Sequence, residues 1–202
     1  MTSPRTYPVM ERFPTLQGEG AWTGHASWFI RLGGCDVGCS WCDVKESWPI
    51  DAHPSVDVDT LVAEAVASGM PRVVVTGGEP CMHDLGPLTE SLQAAGLDTH
   101  LETSGAHPPS GSWDWITLSP KKFKACRPEW YSMADELKIV VVNGHDLVWA
   151  EEHAAQLAPG TAQFLQPEWD RREEVMDRVL ARIQAEPQWR LSLQTHKFIG
   201  LP

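Results

Sequence analysis

Short segments rich in β-branched residues alternate along this sequence with segments of helical periodicity. RVVVTGG (residues 72–78) predicts a buried strand, and VDTLVAEAVASG (58–69) carries apolar residues at helical spacing before a glycine. Further strands are predicted at SWFIRL, THLET, WITLS, LKIVV, TAQFLQ and RLSLQT, and helices at 84–96, 145–158 and 171–185. Such an alternation indicates a mainly parallel sheet, whose active site lies at the carboxyl ends of its strands.

The connection from Glu102 to Trp113 is rich in Gly, Pro and Ser and is too short for a crossover helix. We therefore expect an α/β fold, an incomplete TIM-like barrel with about six parallel strands and fewer helices than strands. Asp84 is the expected N-cap of one helix, and Gly96 marks its end. The 202 residues show no repeat or linker, which favours a single domain over residues 1–202.

Charge and composition exclude several classes of protein. The net charge of -11 and the pI near 5.1 disfavour binding to nucleic acid, which needs a basic surface. The sequence lacks a signal-peptide-like run, and no stretch approaches the roughly 20 apolar residues of a membrane span. We therefore expect a cytoplasmic protein that does not bind membranes. In a reducing compartment, an odd count of five cysteines favours metal binding or catalysis over disulfides.

Three of the five cysteines lie within eight residues, in the pattern C-x3-C-x2-C at Cys35, Cys39 and Cys42. A structural zinc site needs a fourth Cys or His, and neither Cys81 nor Cys126 has a partner at zinc-ligand spacing. A [4Fe-4S] cluster with three protein ligands fits better, because it leaves one iron open to a small molecule. The alternative is a zinc knuckle next to an ordinary glycine turn.

The triplet, with Trp41 before its last cysteine, resembles the signature of the radical S-adenosylmethionine (radical SAM) superfamily. VVVTGGEP (73–80) is similar to the glycine-rich motif of the same superfamily, in which backbone groups and a glutamate receive the methionyl amino group. The resemblance implies that the open iron is chelated by the amine and carboxylate of S-adenosylmethionine. The cofactors would then be a [4Fe-4S] cluster and S-adenosylmethionine.

Further segments resemble one family within this superfamily, the 7-carboxy-7-deazaguanine synthases. They are FPTLQGEG, WFIRLGGC, LETSG, LSPK, ELKIVV, FLQP and LQTHKFIGLP, and they span the chain from end to end. The resemblance implies a lyase that converts 6-carboxy-5,6,7,8-tetrahydropterin to 7-carboxy-7-deazaguanine with loss of ammonia, in queuosine biosynthesis. It also implies a homodimer and a reductase such as flavodoxin or ferredoxin as electron donor. A 5'-deoxyadenosyl radical would start the reaction, without a strong general acid or base from the protein.

The resemblance carries site roles onto individual positions. Cys35, Cys39 and Cys42 would hold the cluster. The S-adenosylmethionine site would be lined by Trp41, Gly78, Glu79, Ser119, Pro120, Lys121, Gln166, Pro167, Glu168 and Trp169. The pterin would be surrounded by Leu16, Gln17, Gly18, Glu19, Arg31, Thr76, His196 and Pro202, the last through a terminal carboxylate.

Three of these substrate assignments have structural alternatives. Arg31 offers a bidentate fork to the substrate carboxylate, since an unpaired guanidinium is costly in a buried first strand, but it is also suited to a surface ion pair. Glu19 between two glycines also suits a solvated turn. His196 also suits an ordinary strand histidine that packs and hydrogen-bonds.

The sequence departs from the family after the last cluster cysteine. These enzymes typically continue with Asp-Thr, and the threonine hydroxyl helps to coordinate Mg²⁺, whereas this chain has Asp43 and Val44. We expect retained activity with weakened Mg²⁺ dependence, a water held by Asp43 or a backbone carbonyl filling the vacant position. The alternative is that Val44 packs and no divalent ion is used.

Two other functions remain open from the sequence. A radical SAM activase that acts on a protein partner shares the C-x3-C-x2-C spacing but has no need of TLQGEG or a tailored carboxyl terminus. A non-catalytic iron-sulfur or zinc module would need only the cysteines.

Overall fold

A computed structural model describes residues 5–202, and a single sheet of nine strands runs through it. The strands are β1 (Thr6–Leu16), β2 (Ala26–Leu32), β3 (Ser55–Asp57), β4 (Arg72–Gly77), β5 (Asp98–Thr103), β6 (Trp115–Leu118), β7 (Glu136–Val141), β8 (Ala162–Pro167) and β9 (Trp189–Leu191). The helices are α1 (Val58–Ala67), α2 (Gly86–Ala94), α3 (His145–Ala154), α4 (Arg172–Ala185) and α5 (Thr195–Ile199).

The strand order in the sheet is β3-β1-β2-β4-β5-β6-β7-β8-β9. From β2 through β9 every neighbouring pair is parallel, so seven strands form the parallel part, one more than the sequence predicted. β1 is antiparallel to both β2 and β3. The expected open barrel is confirmed, because β3 and β9 are the two edges of the sheet and do not pair with each other.

The centre of the sheet is buried on both faces, as its sequence predicts. Val73, Val74 and Val75 of β4 have no exposed surface, because one face is covered by helices and the other faces the barrel interior. α1 begins at a normal N-cap, where the Asp57 carboxylate accepts a hydrogen bond from Thr60 N at 2.8 Å. Its buried Leu61 and the buried Leu88 of α2 belong to the same hydrophobic core.

The connection between β5 and β6 crosses without a helix, as its composition predicted. α2 begins at Gly86, so the predicted N-cap at Asp84 is wrong. The Asp84 carboxylate instead accepts from Gly86 N at 3.1 Å, in a turn that precedes the helix. Gly96 follows the helix with a φ of +79°, as expected of a glycine stop.

Two strand predictions need correction. β1 was not predicted, and it precedes β2, which the sequence had suggested as the first strand. RLSLQT forms only the three-residue β9 and is followed by α5, so His196 lies on a short helix and not on a strand. Among residues 5–202, no helix has both the length and the apolar character to cross a bilayer.

Candidate active site

The loops at the carboxyl ends of the parallel strands enclose a cavity of about 440 Å³. The structure brings most of the predicted site residues together around it: Leu16, Gln17, Gly18, Glu19, Arg31, Cys35, Cys39, Trp41, Cys42, Asp43, Val44, Thr76, Gly78, Glu79, Ser119, Lys121, Gln166, Glu168, Trp169, His196 and Pro202. Two predicted residues lie elsewhere. Pro120 lines a neighbouring cavity of about 210 Å³, and Pro167 is buried at the end of β8, where its ring packs within the protein.

The three clustered cysteines lie on the loop that leaves β2. The loop is held by backbone bonds to the turn that follows it, Gly34 N to Ser47 O at 2.7 Å and Cys35 N to Trp48 O at 3.1 Å. Burial raises the pKa of the Cys39 thiol to about 11 and also raises that of Cys35. The thiols of Cys35 and Cys39 are therefore protonated at neutral pH, and a metal group must displace their protons to bind.

The loop after β4 presses directly against the cysteine loop. Gly78 N donates to Leu32 O at 3.0 Å, and Glu79 N donates to Gly34 O at 2.8 Å. A Cβ on Gly78 would lie 2.2 Å from Gly34 O and 2.8 Å from Cys35 Cβ. Only a glycine permits this approach of two backbones, which leaves main-chain groups facing the cavity. This cradle and the three thiols fit a cluster with an amino-acid ligand.

Glu79 anchors the base of the cavity. It is 1% exposed, and its carboxylate accepts hydrogen bonds from Thr103 Oγ1 at 2.6 Å, Ser104 N at 2.8 Å and Cys81 N at 3.2 Å, and also from the Ser104 hydroxyl. These four donors occupy the acceptor positions of an ionised carboxylate. Glu79 therefore ties the β4 loop to the end of β5, and its predicted contact with the methionyl amino group stays a prediction.

The predicted S-adenosylmethionine residues on the later strands are also held in place. Lys121 donates to Ser119 O at 2.5 Å and to Ser119 Oγ at 2.6 Å, and its ammonium lies 5.9 Å from the centre of the Trp41 ring. Burial lowers the pKa of Lys121. The Glu168 carboxylate accepts from two backbone amides at the start of the turn before α4. The cavity is thus lined by the Gln166 amide, the Glu168 carboxylate and the rings of Trp41 and Trp169.

A buried network of charged residues also lines the cavity. Gln17 Nε2 donates to Glu102 Oε1 at 2.9 Å, while Lys138 Nζ donates to Glu19 Oε2 at 2.5 Å and to Glu102 Oε2 at 2.7 Å. Roles for Gln17 and Glu19 are expected from the sequence, whereas Glu102 and Lys138 become candidates only in the structure. The available signal was a charged residue inside each of two segments predicted as buried strands, LETSG and ELKIVV.

Arg31 is not an unpaired guanidinium in a buried first strand. It lies on the second strand, and its Nε donates to Glu11 Oε1 at 2.6 Å, across the antiparallel pair that β1 forms with β2. The chain therefore supplies the anion that the sequence analysis sought in a substrate. Arg31 still lines the cavity, 18% exposed, and its role toward a substrate carboxylate stays a prediction.

The segment around α5 bonds both to the loop after β1 and to the cysteine loop. Thr195 N and Oγ1 donate to Gly18 O at 3.0 and 2.9 Å, and a Cβ on Gly18 would lie 2.0 Å from His196 Nδ1. Burial lowers the pKa of His196. On the other side, Asp43 Oδ2 accepts from Lys197 Nζ at 2.5 Å. The oxygen considered for a magnesium-bound water is thus already paired with an ammonium group.

The described residues contain no group of three or more His, Cys, Asp or Glu side chains arranged around a single metal ion. A [4Fe-4S] cluster attaches its three thiolates to different irons, so this spacing of the cysteines does not conflict with a cluster.

Comparisons with known proteins agree with this geometry. Residues 29–122 match the family model of the Radical SAM superfamily. A 7-carboxy-7-deazaguanine synthase from Synechocystis sp. is 52% identical over 196 residues, which cover 97% of this chain and 94% of that protein. The enzyme of the same name from Escherichia coli K12 is 34% identical over 220 residues, covering 96% of this chain and 99% of that protein.

The fold has a solved counterpart. The crystal structure of QueE from Escherichia coli superposes with a TM-score of 0.85 at 35% sequence identity, and the match covers 95% of both chains. The similarity therefore extends over nearly the whole length of both chains.

Proposed function

The chain belongs to the 7-carboxy-7-deazaguanine synthase family of the radical SAM superfamily, and from this we propose the details of its reaction. It is a lyase of queuosine biosynthesis that forms 7-carboxy-7-deazaguanine. We take the substrate to be 6-carboxy-5,6,7,8-tetrahydropterin, whose radical ring contraction releases ammonia.

The observation that best supports this proposal is that one cavity joins two different sets of side chains. One set is the cysteine loop with the glycine cradle, and the other is the Gln17, Glu19 and Arg31 side chains, and all of them line the cavity. The first set suits a cluster and S-adenosylmethionine. The second presents an amide, a carboxylate and a guanidinium to the edge of a flat, polar ring that carries a carboxylate.

When bound, the cluster and S-adenosylmethionine would supply the radical chemistry of the reaction. The protein's own residues orient and enclose the reactants. Cys35, Cys39 and Cys42 hold the cluster, while Glu79 fixes the loop that faces the amino-acid part of the cofactor. The α5 segment lines the cavity through His196 and Lys197 and bonds to Gly18, where it shields the reacting groups from water.

We further propose that Mg²⁺ contributes weakly to this enzyme. Val44 lines the cavity, but its side chain has no oxygen that could bind a metal ion. The Asp43 carboxylate is paired with Lys197. We expect the chelator-treated enzyme to retain activity with a shallow response to added Mg²⁺, and Val44→Thr to steepen that response by returning one oxygen ligand. A strong, saturable requirement that Val44→Thr leaves unchanged would contradict this role of position 44.

Two partners complete the proposal. A reduced flavodoxin or ferredoxin supplies the electron, and the enzyme is a homodimer. Sedimentation tests the second point, because a species with the 22.4 kDa mass of one chain would contradict a dimer.

Anaerobic reconstitution followed by turnover tests the function itself. We expect about four irons per chain and, with S-adenosylmethionine, the tetrahydropterin and a reductant, formation of 7-carboxy-7-deazaguanine. A tightly held zinc instead of iron would contradict the radical enzyme. An intact cluster that yields no deazaguanine under reducing conditions would contradict the substrate and return the activase to consideration.

A further inference from the structure

Lys138 lies at the centre of a charge network that the proposed reaction does not use directly. Its side chain is 3% exposed, and it lies between the buried apolar residues Leu137 and Ile139 of β7. A lysine is rarely buried to this extent unless its charge is paired. Here two carboxylates pair with it, Glu19 at 2.5 Å and Glu102 at 2.7 Å.

The same network fixes the conformation of the loop that follows β1. Gln17 is held at both ends, because its Nε2 donates to Glu102 and its Oε1 accepts from Glu19 N at 3.1 Å. Lys138 therefore bonds directly to Glu19 and, through Glu102, indirectly to Gln17. Both loop residues line the large cavity, so the network determines which atoms they present to it.

Glu136 contacts the next two residues of the loop, Gly20 and Ala21. It is 2% exposed, and its carboxylate accepts a hydrogen bond from Ala21 N at 2.9 Å. Gly20 has a φ of +64°, and a Cβ there would lie 2.1 Å from Glu136 Oε1. The loop thus lies directly on the buried charges, with no side chain between them.

Lys138 also determines the charge that the loop carries. Burial disfavours ionisation of Glu19, but the nearby ammonium outweighs it and holds the pKa of Glu19 below its ordinary value. Burial would likewise lower the pKa of Lys138, but Glu102, Glu19 and Glu136 raise it above its ordinary value. The pair is therefore a carboxylate and an ammonium at neutral pH.

We propose that Lys138 is a positioning residue, which holds Glu19 and, through Glu102, Gln17 in the orientation that binds the substrate ring. Lys138 and Glu102 line the same cavity, and Lys138 acts on the substrate through Glu19 and Gln17. The inference rests on the proposed function, because it assigns Glu19 and Gln17 to the pterin. A purely structural ion cluster would contribute to folding alone, and the two roles differ in what their removal changes.

Steady-state kinetics on the anaerobically reconstituted holoenzyme separates these roles. We expect Lys138→Met to raise KM for the carboxytetrahydropterin by about tenfold or more, the size expected for loss of a hydrogen bond between charged groups. Iron content and affinity for S-adenosylmethionine should stay at the level of the unmodified enzyme. Lys122→Met is the matched control, because it also removes an ammonium from a buried carboxylate, Asp146, but outside the large cavity.

A double variant keeps the test decisive if Lys138→Met folds poorly. Lys138→Met/Glu102→Gln removes one of the uncompensated carboxylates, so its thermal midpoint and iron content should recover toward those of the unmodified enzyme. Its KM should stay at least fivefold raised, because Glu19 still lacks its ammonium partner. Recovery of KM together with stability, or an unchanged KM in Lys138→Met, would overturn the proposal. Absence of turnover in the unmodified enzyme would instead overturn the proposed function.

Discussion

His100 shows how a single buried residue makes the stability of this fold depend on pH. It is 4% exposed, and Arg72 Nε donates to its Nε2 at 3.0 Å, with the Arg72 guanidinium 3.9 Å from the centre of the Trp22 ring. Burial and the adjacent guanidinium lower the pKa of His100 to about 3. The imidazole of the folded protein is therefore uncharged at neutral and weakly acidic pH.

This residue predicts destabilisation in weak acid. The unfolded chain takes up a proton at His100 below pH about 6.5, whereas the folded chain does not. The contribution of His100 to the free energy of unfolding is therefore complete above that pH and is lost as pH falls toward 3. Each such histidine weakens folding by about 1.4 kcal/mol per pH unit in this window. Urea unfolding followed by tryptophan fluorescence gives the free energy of unfolding at each pH. Plotted against pH between about 3 and 6.5, this free energy should have a shallower slope for His100→Gln than for the unmodified protein.

Two comparisons sharpen this measurement. Burial also lowers the pKa of His153, to about 4, so part of the slope should remain in the His100 variant. His145 is exposed at the start of α3, and His145→Gln should leave the slope as it is in the unmodified protein. Equal slopes for the unmodified protein and His100→Gln would show that His100 is not the group responsible.

At the scale of elements, the contact between the β4 loop and the cysteine loop determines whether a cluster can bind. Gly78→Ala would place a methyl group 2.2 Å from Gly34 O, and hydrogen bonds from Gly78 N to Leu32 O and from Gly34 N to Ser47 O hold the two backbones in place. We expect this variant to keep its fold but to bind less than half the iron of the unmodified protein after reconstitution. Iron analysis and far-UV circular dichroism measure the two properties separately.

Gly86→Ala provides the control for this substitution. Its Cβ would lie 3.3 Å from Asp84 Oδ1, in the first turn of α2, where the side chain has room to adjust. It should retain iron fully. A full iron content in Gly78→Ala would show that the two loops separate at little cost.

The elements also show why the sequence predicted some residues of the site and not others. The cysteines, the glycine-rich motif and Gln17 to Glu19 each lie within one short segment, so local spacing indicates a role for the cysteines, and resemblance to a family motif indicates one for the others. Lys138 and Glu102 gain theirs only because β5, β6 and β7 are consecutive neighbours in the sheet, and the pairing of Arg31 with Glu11 depends on the register of β1 with β2. Such contacts follow from register, which no local pattern specifies.

β1 itself was missed for a related reason. Pro8 and Pro14 interrupt the alternation that predicts a strand, and both are compatible with one here. β3 covers only residues 6–8 of β1, which leaves the edge beside Pro14 without a partner strand.

At the scale of the whole molecule, the cavity is completed by segments from opposite ends of the chain. Lys197 on α5 joins Asp43 on the cysteine loop through a partly exposed ion pair. Because exposed pairs contribute about 0.2–1 kcal/mol, Lys197→Met should raise KM for the pterin by no more than about fivefold, less than Lys138→Met. Lys45→Met, at an exposed position on the same loop, is the control. A larger effect at Lys197 than at Lys138 would contradict this ranking.

The bonds between Thr195 and Gly18 have a consequence for the order in which the molecule forms. They join residues 177 positions apart, whereas the cysteine loop needs only β2, β4 and the turns beside them. Contacts between distant parts of a chain form late, because the intervening loop must first lose its freedom. During synthesis on the ribosome, the cysteine loop can therefore form while the contact between Gly18 and Thr195 still awaits the synthesis of α5.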